Sequence, residues 1–88
     1  MGHGPGWLQR CILSELDGAG WKDIRWLGAR CYSGSEKLSE AQLESLRRSV
    51  RSLTRRGLVE TMRDDRLGLR GMPLQVRLTK AGRTWLAR

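Results

Sequence analysis

A chain of 88 residues that is 39% hydrophobic, carries four Trp and has a formal net charge of +8 makes one folded domain with a single thin core, too small for a deep catalytic cavity. No apolar run reaches the roughly 18–20 residues of a membrane span. The Met-Gly-His-Gly-Pro-Gly start lacks the apolar stretch of a secretory signal, so a cytoplasmic protein with no membrane partner is expected.

Residues 1–4 read as a flexible N-terminus and 5–88 as the domain. Pro5 suits a first helical turn, and Trp7, Leu8, Cys11, Ile12 and Leu16 share one face before Asp17-Gly18-Ala19-Gly20 ends the helix. Trp21, Ile24, Leu27, Gly28 and Cys31 then fall at helical spacing, predicting a second helix over 21–32 in which Gly28 admits a close neighbour. Ser33-Gly34-Ser35 marks a loop. Cys11 and Cys31 are too few and too far apart for a disulfide framework or zinc knuckle and read as core residues.

Ser39-Glu40-Ala41-Gln42 has the pattern of a capping box, opening a third helix over about 39–56. Leu43, Leu46, Val50 and Leu53 form its apolar stripe. At about 100° per residue, Glu44, Arg48, Arg51, Ser52 and Arg55 point the other way. Gly57 is placed to end this helix in the left-handed conformation. Strands follow over 58–63 and 74–78, the second alternating Leu74, Val76 and Leu78 with Gln75 and Arg77. The Gly- and Arg-containing link 64–73 reads as the tip of a hairpin spanning about 58–78. Thr79 caps a last helix carrying Ala81, Trp85 and Leu86. The expected fold class is mainly α with a small β-hairpin, in the order helix, helix, helix, strand, strand, helix.

Charge is concentrated in the second half. Residues 1–38 hold five Lys/Arg against four Asp/Glu, a net of +1, and residues 39–88 hold twelve against five, a net of +7. Fourteen of the seventeen basic residues are Arg, whose guanidinium can fork onto phosphate or guanine. Nucleic acid is the partner this composition favours. One His, no Gly-rich phosphate loop and no metal-ligand cluster argue against an enzyme and against a cofactor or metal, and no small-molecule substrate is evident.

The stretch Leu46-Arg47-Arg48-Ser49-Val50-Arg51-Ser52-Leu53-Thr54-Arg55-Arg56-Gly57-Leu58-Val59, followed by Val76-Arg77-Leu78-Thr79-Lys80-Ala81-Gly82-Arg83, resembles the recognition helix and wing of MarR-like winged helix-turn-helix regulators and related prokaryotic or phage proteins. The resemblance covers roughly residues 22–86. It implies sequence-specific binding of double-stranded DNA in transcription regulation or by a mobile element, with the protein nucleoid-associated when bound. It also implies that Ser45 and Arg48, with Gln42 and Glu44 nearby, meet base edges, while Arg66 and Arg70 at the wing tip meet phosphates or a minor groove.

Arg47, Arg51, Ser52 and Arg55 join the candidate DNA-binding set from the exposed helix face, and Arg63 and Arg77 from the strands flanking the tip. The competing reading is a solvated helix face pairing with Glu40 or Glu44, and a charged tip balanced by Asp64 and Asp65. Trp21, Trp26 and Trp85 read as core or subunit-contact residues. A homodimer built on the first and last helices is a further expectation. Two other functions stay open: a winged-helix protein-interaction module in a larger assembly, and RNA or single-strand binding.

Overall fold

A computed structural model of the chain describes residues 5–32, 37–62 and 75–88. The elements run α1 (Pro5–Leu16), β1 (Lys22–Asp23), α2 (Ile24–Cys31), α3 (Glu40–Arg55), β2 (Val59–Met62), β3 (Gln75–Leu78) and α4 (Lys80–Leu86). Among the described residues the fold is thus four helices and one small sheet, antiparallel throughout, in the order β1-β3-β2. The register places Val59 opposite Leu78, Thr61 opposite Val76, and Lys22 opposite Val76 on its other side. β3 is therefore the central strand.

The stripes converge on one core. Leu8, Ile12, Leu13 and Leu16 of α1 meet Ile24, Leu27 and Cys31 of α2, Leu46, Val50 and Leu53 of α3, and Val59, Val76 and Leu78 of the sheet. Each such side chain contributes about 1.5–3 kcal/mol on removal from water. α1 is the element held from most sides, packing on α2, α3, α4 and β3, and α3 packs on α1, α2 and β2. Gly28 is buried against Leu38 and Leu46, the close neighbour its lack of a Cβ admits.

Local chemistry sets the ends of α3. The Ser39 hydroxyl accepts from the Gln42 amide at 3.1 Å while the Gln42 side chain accepts from the Ser39 amide at 2.9 Å, satisfying two donors that would otherwise lack partners. At the other end Gly57 adopts φ +75°, and the Leu58 amide donates to the Leu53 carbonyl at 3.0 Å, folding the chain back into β2. Thr79 then joins this turn to α4. Its hydroxyl donates to the Gly57 carbonyl at 2.7 Å and accepts from the Gly82 amide at 3.1 Å, and its own amide donates to the Leu58 carbonyl at 3.1 Å.

Two features differ from the expected order of three helices, a two-stranded hairpin and a helix: β1 is an additional strand that makes the sheet three-stranded, and the second helix is shortened at its start. The second helix begins at Ile24 rather than Trp21, because Lys22–Asp23 pairs with β3 and Asp23 caps the helix by accepting from the Arg25 amide at 2.7 Å. A cap residue has extended dihedrals, which suit a strand's last residue equally well.

Cys31 is buried and its thiol hydrogen-bonds with that of Cys11; burial first, then this contact, pushes the Cys31 thiol well above its ordinary value. The unfolded chain ionises this thiol near pH 9.0 and the folded chain does so later, so the stability is complete below that pH and is lost as pH climbs through the interval. Urea unfolding from pH 8 to 11 is expected to show a declining midpoint that flattens in Cys31→Ala. Parallel profiles for the two proteins would contradict this account.

Candidate nucleic-acid interface

Burial of Leu46, Ser49, Val50 and Leu53 against the core fixes the rotation of α3. Its opposite face is thereby turned outward. Arg48, Arg51 and Arg55 are exposed, lie within about 60° of one another around the axis, and span about 10 Å along it at about 1.5 Å per residue. Ser45 is exposed beside them and Ser52 half-buried.

The charges are only partly matched. Glu44 is the shared partner of two arginines: its Oε2 accepts from Arg47 Nη1 at 3.3 Å, and its Oε1 lies 3.6 Å from Arg48 Nε. Arg48 is nevertheless 76% exposed and Arg47 only 31%. Exposed pairs of this kind contribute about 0–1 kcal/mol and are readily exchanged for an external anion. Arg51 and Arg55 form no ion pair with any described residue.

The arginines line an open groove of about 580 Å³ between α3 and the start of α1, walled on the far side by Trp7, Gln9 and Tyr32. No described acidic residue borders it. Trp7 and Tyr32 meet edge to face with ring centroids 5.8 Å apart. Burial raises the Tyr32 phenol above its ordinary value, as does the neighbouring Cys31, while a hydrogen bond with Ser45 opposes the shift. The phenol therefore stays neutral at physiological pH, adding no negative charge beside the guanidinium groups.

The remaining candidates separate from this face. Gln42 lies in the helix cap, its amide oxygen committed to Ser39. Arg47 sits on the flank of α3, with a buried Nε that lacks a hydrogen-bond partner among the described residues. Arg77 is on the sheet: its Nε donates to Glu60 at 2.6 Å and its Nη2 to the same oxygen, with the guanidinium 4.7 Å from the centroid of Trp21. It is thus matched within the fold by a residue on the neighbouring strand. Arg63, Arg66 and Arg70 lie outside the described residues. The sequence does not mark Trp7, Gln9 and Tyr32 for this site, since only the packing of α1 and of the end of α2 beside α3 brings them there.

Trp26 has Lys22 at 5.1 Å and Arg30 at 5.0 Å from its ring, and Arg30 is also paired with Glu15 at 2.5 Å. Among the described residues no group of His, Cys, Asp or Glu is placed to hold a metal ion, and no helix is long and apolar enough to cross a membrane. Compared with known protein families, with characterised proteins and with solved structures, the chain finds no match.

Proposed function

We propose that the chain is a non-enzymatic winged helix-turn-helix domain that binds double-stranded DNA in a sequence-specific way, as a small transcriptional regulator or a mobile-element or phage protein. α3 enters the major groove, and the hairpin of β2 and β3 lies along the backbone or a minor groove. The observation that carries this reading is the row Arg48, Arg51 and Arg55, held outward on one rigid helix beside a groove that no described acidic residue lines. A helix anchored by its apolar stripe offers a convex ridge of the right width for the major groove, where Arg can bond guanine with two parallel hydrogen bonds. The same guanidinium groups neutralise phosphates at less favoured positions.

The aromatic wall supplies a specific reason to weigh a second reading. Trp7 and Tyr32 lie beside the arginines, and rings next to cations also accept unpaired bases of a single strand. Titrating the protein with a random duplex of about one-and-a-half helical turns and with its separated strands decides between them. Duplex is expected to bind more tightly, with log affinity falling against log salt by about 0.9 per phosphate neutralised. Preference for the single strand, or no duplex binding at low salt, overturns the proposal.

A further inference from the structure

Outside the α3 row, a second group of cations converges at the far end of that helix. Trp85 of α4 is half-buried against the core. Two guanidinium groups lie on its indole: Arg10 of α1 at 5.3 Å from the ring centroid, and Arg56, the C-cap residue of α3, at 5.8 Å. Arg56 Nη1 also donates to Gln9 Oε1 at 2.9 Å. Neither arginine forms an ion pair with a described carboxylate.

This arrangement is unlike the other aromatic–cation contacts of the fold. Arg77 on Trp21 has Glu60 as its carboxylate partner, and of the two cations on Trp26, Lys22 and Arg30, Arg30 has Glu15. At Trp85 two guanidinium groups share one ring with neither paired to a described carboxylate, and the fixed hydrogen-bond acceptor is the neutral amide of Gln9. The indole face attracts each cation and Gln9 orients one, but neither cancels the charge. Two guanidinium groups held on one ring without a described carboxylate partner form a receptor for a phosphate oxyanion. Gln9 also lines the groove that holds Arg48, Arg51 and Arg55, so the two positive regions adjoin.

The geometry points to Arg10 and Arg56, set on Trp85, as a phosphate-binding site that grips a backbone phosphodiester flanking the segment read by α3. This inference rests on the duplex-binding reading above, and two measurements separate their failures. The first uses no DNA: inorganic pyrophosphate is titrated while the indole N–H resonance of Trp85, assigned with Trp85→Phe, is followed by NMR. A saturable shift is expected in the wild-type protein, lost in Arg10→Gln/Arg56→Gln and retained in Arg10→Lys/Arg56→Lys. No saturable shift, or one that survives the glutamine pair, overturns the site.

The second measurement uses the random duplex. The glutamine pair is expected to lower the salt slope of log affinity by about one, the value for one phosphate neutralised, with about a tenfold loss of affinity at 0.1 M salt. The lysine pair restores most of the slope, because the slope counts charges. An unchanged slope in the glutamine pair overturns the phosphodiester assignment. If the wild-type protein itself has no duplex affinity, the DNA-binding proposal falls, and the pyrophosphate titration still decides whether the anion site exists.

Discussion

Replacing Arg48, Arg51 and Arg55 together by alanine is expected to weaken duplex binding at least about a hundredfold near 0.1 M salt. Each true phosphate or guanine contact by an arginine is worth about 1–3 kcal/mol, and about 1.4 kcal/mol is tenfold, so two such contacts among the three suffice. Stability is expected to stay within about 0.5 kcal/mol of wild type, because all three side chains are exposed and Arg51 and Arg55 give up no described ion pair. A combined fall in affinity and in salt slope, with an unchanged urea midpoint, is the signature of a surface that meets a polyanion. Duplex binding that is unaltered by the triple change would remove α3 from the interface, and the proposed function would not survive it.

Gly82→Ala is expected to have the largest effect on stability of any single methyl addition among the described glycines. A Cβ there overlaps the Leu58 carbonyl oxygen and comes within 2.7 Å of a Leu78 methyl. The carbonyl cannot step aside easily, since it accepts from the Thr79 amide while Thr79 also bonds Gly57 and Gly82. Overpacking of this kind costs about 1–3 kcal/mol, and for a chain of this size each kcal/mol lowers the melting temperature by about 4–8 °C. Thermal unfolding followed by circular dichroism should therefore show a drop of about 10 °C or more, taking about 2 kcal/mol in that range. Gly28→Ala makes the informative contrast. Its nearest obstacle is a terminal methyl of Leu38, a group that can rotate, so the loss should be smaller. Equal melting temperatures for Gly82→Ala and wild type would mean that α4 slides freely away from Leu58.

The parts of this fold legible in the sequence are those governed by neighbours along the chain. The capping box at Ser39 and Gln42, the stripe of Leu46, Val50 and Leu53, the left-handed Gly57 and the Thr79 cap all act within one or two helical turns, and each stands where the sequence places it. What escaped was set across distance. Trp21 lies three residues before Ile24 and so extends a helical pattern, yet Lys22 and Asp23 are recruited by Val76 and Gln75, partners that no local period announces. Arg77 reads as an outward cation on an alternating strand, and its match with Glu60 and Trp21 follows from strand register. At the candidate interface the outward arginines of α3 could be read from helical angles alone. The wall opposite them, made by Trp7, Gln9 and Tyr32, comes from how α1 and the end of α2 pack beside α3.

The double duty of Asp23 has a mechanical consequence. Its backbone belongs to the sheet edge, opposite Gln75, and its carboxylate holds the first turn of α2 through the Arg25 amide. A force applied along β3 would thus reach the first turn of α2 through the backbone and carboxylate of Asp23 as well as through the core that Val76 and Ile24 share, so that sheet edge and helix are geared to tilt together.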